Sequence, residues 1–113
     1  MSIISVYAVF ADADEAKRIA RTVVEEGLAA CANIFGSISS IYRWKGGVES
    51  AEEVAAFFKT NDSRADELIT RIAALHSYDV PCILTSSIDK ILKPYADWVE
   101  ESVVMRVDPD SRG

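Results

Sequence analysis

Few residues of this 113-residue chain could bind a soft transition-metal ion. It contains one histidine, His76, and two cysteines, Cys31 and Cys82, without a CxxC spacing. Thiolates and imidazoles bind soft transition-metal ions, but a single histidine cannot form a cluster alone. The alternatives are two reduced, buried thiols and a histidine that caps the carbonyls at a helix end. No nucleophile with a base, paired carboxylates or phosphate loop is present in the pattern, so the sequence does not predict an enzyme.

A second group of residues lies just before a glycine turn. Tyr42, Arg43 and Trp44 precede Lys45-Gly46-Gly47, which predicts a hairpin tip that carries two large aromatic side chains and a guanidinium. Such residues are typical of a contact surface for another subunit or a ligand. The alternative is that the rings simply cover the core. Lys59 further along could bind an anionic group or extend over apolar surface.

Composition restricts the class of protein. Half of the residues are hydrophobic and 27% are charged, which predicts one ordered domain over residues 1–106 with a frayed tail at 107–113. A net charge of −6 argues against binding to nucleic acid. Because the start lacks a signal-peptide pattern and no apolar run approaches a membrane span, we expect a cytoplasmic protein without one.

Hydrophobic periodicity gives the elements that position these residues. It predicts strands over residues 3–10, 30–43, 48–60 and 80–88, with a bend or bulge at Gly36-Ser37. The first helix buries an apolar stripe and turns Glu15 to water, and Asp62-Ser63 caps the second. The stripe of the first helix comprises Ala16, Ile19, Ala20, Val23 and Val24. A short last helix starts at Pro94 with Tyr95, Trp98 and Val99 facing inward.

The order βαββαβ predicts an α+β, ferredoxin-like fold, with two helices on one face of a four-stranded antiparallel sheet. The expected strand order is fourth, first, third, second, which makes the second and fourth strands opposite edges. The other sheet face and the long hairpin between the second and third strands lack a cover. Symmetric self-association is the commonest way to cover such surfaces.

Four sequence blocks resemble the CutA family of divalent-cation tolerance proteins. They are Gly27-Leu28-Ala29-Ala30-Cys31-Ala32-Asn33-Ile34, Ser40-Ile41-Tyr42-Arg43-Trp44-Lys45-Gly46, Phe58-Lys59-Thr60 and His76-Ser77-Tyr78-Asp79-Val80-Pro81. The resemblance implies a ferredoxin-like subunit in a homotrimer built through edge strands and long hairpins, similar in outline to PII signalling proteins. It also implies a metal-responsive protein that serves tolerance of copper and other divalent cations.

The resemblance also implies positions for a copper site, and this chain departs from the family pattern at several of them. The positions of the family's cysteine and paired histidines are here Phe10, Leu75 and His76, and a glutamate position holds Cys82. We therefore predict that specific copper binding depends on His76, with Cys82 as the first candidate thiol and Cys31 as the second.

An alternative function is a PII-like regulatory module. In it, an intersubunit cleft would bind a small anionic ligand, with Lys59 and Arg43 as anchors and Trp44 and Tyr78 as walls.

Overall fold

The computed structural model describes residues 2–103, so the predicted tail and the predicted domain end at residue 106 lie outside the described residues. Its elements follow the predicted order. They are β1 (Ile3–Phe10), α1 (Ala13–Glu25), β2 (Cys31–Trp44), β3 (Gly47–Asn61), α2 (Ala65–Leu75), β4 (Ile83–Ser87) and α3 (Lys93–Ser102). The fold is α+β, with a four-stranded antiparallel sheet and three helices.

The sheet has the order β2-β3-β1-β4, as the sequence predicted. The central strands β1 and β3 pair from Ile3 opposite Asn61 to Phe10 opposite Val54. The strands β2 and β4 form the two edges of the sheet. Cys31 begins β2 and Cys82 directly precedes β4, so the two cysteines lie at opposite edges. The expected bulge is present as a register shift between Gly36 and Ile38.

The core lies between one face of the sheet and the helices α1 and α2. Alternate side chains of β1 and β3 point into it, and Phe10 and Phe58 are fully buried there. Ile19 of α1 and Ile72 of α2 close the other side. Each such side chain contributes about 1.5–3 kcal/mol by leaving water. A smaller cluster forms where α3 packs Val99 and Val103 against Ile3 and Ala30.

Part of the opposite face of the sheet is apolar and exposed within one chain. Phe57 is 39% exposed and Leu84 is 50% exposed. The Phe57 ring contacts Tyr7 on β1 at 5.2 Å and Phe35 on β2 at 5.4 Å between centroids, which forms an aromatic row across three strands. An exposed patch of this kind is typical of a contact surface.

Several local predictions were wrong. β4 begins at Ile83 instead of residue 80, because Pro81 has no N–H to donate to a ladder. Asp62 and Ser63 do not cap α2; Asn61 Oδ1 accepts from Arg64 N at 3.1 Å instead. Trp98 is 44% exposed and stacks on the ring of Tyr95 instead of entering the core.

Two predictions for α1 were also wrong. Val24 lies at the margin of the apolar stripe and is exposed. Glu15 does not face water: it is only 7% exposed and belongs to a hydrogen-bonded cluster at one end of the sheet.

Candidate functional site

His76 directly follows α2 and binds the last part of β1. Its Nε2 lies 2.7 Å from the carbonyl oxygen of Val9, and its Nδ1 accepts from the Tyr78 backbone N–H at 3.0 Å. Since a carbonyl can only accept, these partners assign the proton of a neutral imidazole to Nε2 and the lone pair to Nδ1. The ring of Phe10 stacks on the imidazole at 5.1 Å and holds it in place.

Glu15 ties this loop to the start of α1. Its Oε1 accepts from Ala11 N at 3.1 Å and its Oε2 accepts from Ser77 N at 2.9 Å. Burial acts to raise the pKa of Glu15, but the hydrogen bonds from Ser77 and Ala11 and the nearby His76 outweigh it, so this pKa lies below its ordinary value. The carboxylate is therefore charged at neutral pH and holds the loop.

Sequence reasoning missed this role of Glu15, although the pattern contained a signal. Asp12 accepts from Glu15 N at 2.8 Å as the N-cap of α1, and Glu15 stands three residues later. That spacing is typical of a capping box, in which the glutamate folds back toward the chain before the helix. The box predicts a partly enclosed Glu15, and the loop at Ser77 encloses it further.

Tyr78 connects the loop to the hairpin. Its Oη donates to Oε2 of Glu53 on β3 at 2.8 Å, and its ring lies 4.8 Å from that of His76. Burial together with the hydrogen bond to Glu53 and nearby negative charge raises the pKa of Tyr78 to about 12. The phenol is therefore protonated at neutral pH and can act only as a hydrogen-bonding group there.

Cys82 and His76 both form a hydrogen bond with the backbone of Val9 on β1. The Cys82 carbonyl accepts from Val9 N at 3.2 Å, while the Val9 carbonyl bonds to His76 Nε2. The N–H and C=O of one residue in a strand point toward the same neighbour, so both groups meet Val9 from one side. The Cys82 thiol is free and its residue is exposed.

Cys31 lies at the other edge of the sheet, away from His76. Its Sγ is 3.4 Å from the Oη of Tyr95 on α3, and the residue is half-buried. Within one chain, His76 and Cys82 share the backbone of Val9 as a hydrogen-bond partner, and Cys31 lies at the opposite edge of the sheet.

The four residues predicted to bind an anionic ligand do not meet within one chain. Lys59 donates to Asn33 Oδ1 at 2.9 Å and stands opposite Cys31 on β2. Trp44 and Arg43 lie at the hairpin tip. They are about 40 Å from Lys59 along the strands, at 3.3 Å per residue. Tyr78 bonds to Glu53 between them. A common site would need more than one chain, and it stays a prediction.

Metal-binding capacity within residues 2–103 is limited. No group of three or more histidine, cysteine, aspartate or glutamate side chains in that range could hold an ion. His76 nevertheless has one feature of a metal-ligating histidine. Metal-ligating histidines usually donate their second ring N–H to a carbonyl or carboxylate, and His76 makes such a bond with Val9. Its other ring nitrogen, Nδ1, accepts from the Tyr78 N–H, so a metal at Nδ1 would have to displace that donor.

No helix in the described part of the chain is long and apolar enough to cross a membrane.

Comparison with known proteins identifies the class. Residues 4–102 match the family model described as CutA1 divalent ion tolerance protein. The chain is 40% identical over 98 residues to the divalent-cation tolerance protein CutA of Archaeoglobus fulgidus, which covers 87% of this chain and 95% of that relative. The protein therefore belongs to the CutA family of divalent-cation tolerance proteins, as the sequence blocks indicated. This family is named for tolerance and not for a catalysed reaction.

Solved structures agree with this fold. The crystal structure of CutA1 from Oryza sativa superimposes with a TM-score of 0.90 at 33% identity, covering 94% of this chain and 97% of that one. A structure from Archaeoglobus fulgidus has a TM-score of 0.87 at 38% identity, covering 90% and 99%, and is described as a periplasmic divalent cation tolerance protein. That location is stated of the relative; the cytoplasmic location expected for this chain stays a prediction.

Proposed function

We propose that this CutA protein binds copper as a homotrimer of ferredoxin-like subunits, through a site at His76 and Cys82. The observation that carries the proposal is the orientation of the imidazole: Nε2 is fixed on the Val9 carbonyl, and Nδ1 holds the lone pair on the side of the loop that leads to Cys82. Membership of the divalent-cation tolerance family supports a cation as the ligand.

The donor set favours a soft ion. An imidazole and a thiolate together suit copper better than magnesium or calcium, which prefer oxygen ligands. Copper would supply a positive centre that binds the thiolate of Cys82 after loss of its proton, so binding should weaken as the thiol becomes protonated. The exposed position of Cys82 gives an ion access to the sulfur without opening the core.

The proposed homotrimer would cover the exposed apolar surface of each chain and could add further metal ligands. The exposed apolar face at Phe57 and Leu84 and the hairpin tip at Trp44 favour association of subunits. Further ligands, including Cys31, could reach a site at His76 only from a neighbouring chain, because Cys31 occupies the opposite sheet edge of its own chain.

Copper titration tests this proposal. Under anaerobic, reducing conditions, copper is added as Cu(I) against a competing chelator, because a free thiol would reduce Cu(II). We expect His76→Ala and Cys82→Ser each to weaken binding at least about tenfold, since each removes a ligand. Each variant is first shown to retain the fold and the assembly state of the wild type.

Cys31→Ser is the matched control for the thiol, and we expect it to keep wild-type affinity if the site lies within one chain. A loss in that variant would instead place the site between subunits. If both His76→Ala and Cys82→Ser bind Cu(I) as the wild type does, the proposed site is wrong.

A further inference from the structure

Lys59 lies on the sheet face opposite α1 and α2 and has no acidic partner there. Its ammonium donates to Asn33 Oδ1 at 2.9 Å and lies 6.0 Å from the centre of the Phe57 ring. Within residues 2–103, no carboxylate forms an ion pair with Lys59, although the chain has 18 acidic and 12 basic residues. We propose that Lys59, Asn33 and Tyr95 bind an oxyanion, the carboxylate or phosphate group of a small molecule.

The strand register determines the neighbours of Lys59. It stands opposite Cys31 of β2 on one side and opposite Ser5 of β1 on the other, and Ser5 stands opposite Ser86 of β4. Residues directly opposite in an antiparallel pair share one face, with Cβ atoms about 4.5–5.5 Å apart. The rows on either side of this one contain no acidic side chain; they comprise Ile3 and Asn61, and Asn33, Phe57, Tyr7 and Leu84. The half-buried ammonium therefore lies among uncharged sheet residues, where a charge without a partner is unfavourable.

The hydrogen bond to Lys59 orients the carboxamide of Asn33. Because Oδ1 accepts from the ammonium, the two N–H donors of Nδ2 remain beside it. In the described part of the chain, neither these donors nor the other N–H groups of the ammonium have a hydrogen-bond acceptor. The ammonium and the carboxamide thus present adjacent donors, which suits two oxygens of one oxyanion.

The last helix adds a hydroxyl group to this cluster. Tyr95 of α3 places its Oη 3.4 Å from Cys31 Sγ, and Cys31 stands opposite Lys59 and two residues before Asn33. The ring of Tyr95 stacks on that of Trp98, which holds it over the sheet. When the Cys31 thiol donates to Oη, the phenol can donate its own proton to an anion. The cluster is therefore rich in donors and positively charged, so it favours an anion over a cation.

The site differs from the anion cleft predicted from the sequence, because Arg43, Trp44 and Tyr78 take no part in it. It also shares neither His76 nor Cys82 with the proposed copper site, so either site can exist without the other. In the proposed homotrimer, association over this sheet face would bury the ammonium further. Burial increases the cost of a charge that has no partner, and hence the need for an anion.

Titration of the chelator-treated protein with sodium phosphate and, separately, with sodium acetate tests the site at constant ionic strength. The readout is the set of amide resonances of residues 31–33 and 57–59, and we expect saturable shifts with the wild type. Lys59→Gln should weaken binding at least about tenfold, because it removes a charged donor. Tyr95→Phe should weaken it about three- to tenfold, because it removes a neutral donor. The anion that binds more tightly shows whether the group is a phosphate or a carboxylate.

Two control variants make the same changes away from the site. Lys17→Gln removes the charge of an exposed lysine on α1, and Tyr7→Phe removes a hydroxyl from the neighbouring row of the same sheet face. Both should keep wild-type affinity. All variants are first shown to retain the fold and assembly state, and Asn33→Ala, which changes an exposed side chain, takes the place of Lys59→Gln if that variant does not fold.

Three results would overturn the site. The first is the absence of saturable shifts with both anions. The second is wild-type affinity in Lys59→Gln, or a loss in Lys17→Gln as large as the loss in Lys59→Gln, which would indicate a general effect of charge. The third is an equal loss in Tyr95→Phe and Tyr7→Phe, which would show that the hydroxyl of Tyr95 is not a specific donor. None of these results bears on copper binding by His76→Ala and Cys82→Ser.

Discussion

Glu15 shows how a single buried carboxylate organises the end of this sheet. It satisfies one backbone N–H before α1 and another in the loop 62 residues later, at Ser77. Both donors lie in irregular segments and have no partner in a helix or strand ladder. The charged carboxylate thus supplies the hydrogen bonds that regular structure does not, at the place where β1 and α2 end and α1 begins.

The first prediction concerns the charge of this carboxylate. Glu15→Gln offers one carbonyl oxygen to two N–H donors, so one donor loses its acceptor. We expect the free energy of unfolding at pH 7 to fall by about 1–3 kcal/mol. The folded-state pKa lies below the ordinary 4.5, so the stabilisation is complete above that pH and is lost as pH falls through the lower folded value.

Urea denaturation of the wild type and Glu15→Gln between pH 3 and pH 7 measures this effect. The difference in unfolding free energy should shrink as the pH falls below 4.5. Glu25→Gln, on the exposed face of the same helix, is the control and should change stability by less than about 0.5 kcal/mol throughout. A difference for Glu15→Gln that does not depend on pH would contradict the assignment of the effect to the carboxylate charge.

Residue types predicted which side chains could do chemistry, but not how they are engaged. The pattern identified His76 because it is the only imidazole of the chain. It could not show that both ring nitrogens meet backbone groups, since one partner is a carbonyl of β1 that lies 67 positions away in the chain. Every residue has a backbone carbonyl, so the residue types in the sequence do not reveal which carbonyl a side chain contacts. For the same reason, the helical period of α1 predicted that Glu15 faces water, although its carboxylate binds two backbone N–H groups.

At the scale of elements, the hairpin of β2 and β3 depends on a glycine at its bulge. Gly36 has a φ of +149°, and a Cβ there would lie 3.1 Å from the Cα of Val54 and 3.2 Å from the carbonyl oxygen of Glu53. Both neighbours are backbone atoms of the paired strand and cannot rotate away. The sequence predicted a bend or bulge at Gly36-Ser37, because a glycine inside a strand pattern is typical of a bulge.

The second prediction is a series of three alanine substitutions along this hairpin. Gly36→Ala should lower stability by about 1–3 kcal/mol, because both φ and the close approach oppose a side chain. Gly46→Ala has a φ of +80° but no atom within 4 Å, and should cost about 1 kcal/mol. Gly47→Ala, nearest to the Trp44 carbonyl at 3.8 Å, should stay within about 0.5 kcal/mol.

Thermal and urea unfolding measure how much each of the three substitutions lowers the free energy of unfolding, and so rank them. Equal losses for Gly36→Ala and Gly46→Ala would show that the backbone approach at the bulge does not matter. Equal values for Gly36→Ala and Gly47→Ala would remove the argument for the bulge altogether.

At the scale of the molecule, one chain is extended and incompletely covered. Its radius of gyration is 15.4 Å, compared with about 13 Å for a compact domain of this length, and its extents are 54 × 35 × 23 Å. Ile41, Trp44 and Val48 are exposed near the hairpin tip, and the aromatic row at Phe57 is exposed on the sheet. The fold class and strand order followed from the sequence because apolar runs and helical stripes indicated the element order βαββαβ, which is typical of one arrangement of the sheet. Nothing in the described part of the chain covers these residues, so a pattern within one chain could not indicate what would cover them.

The third prediction concerns assembly. We expect sedimentation at low micromolar concentration to give a mass of about 37 kDa, three times the 12.4 kDa of one chain. Phe57→Asp places a charge in the exposed aromatic row and should shift the protein toward monomer while circular dichroism remains native. Arg18→Glu, on the exposed side of α1, is the charge-changing control and should leave the mass unchanged. A stable wild-type monomer would exclude the homotrimer.

The hairpin has one further consequence, which concerns the dependence of folding on concentration. β1 accompanies β3 only as far as Val54, so residues 38–44 and 47–53 form a ribbon of two strands without a third. Isolated two-stranded ribbons are only marginally stable in water. In the proposed homotrimer, neighbouring chains would cover this ribbon, so its order would follow mass action and rise with the protein concentration. That assembly would make part of the native structure a property of the population of chains and not of each molecule separately.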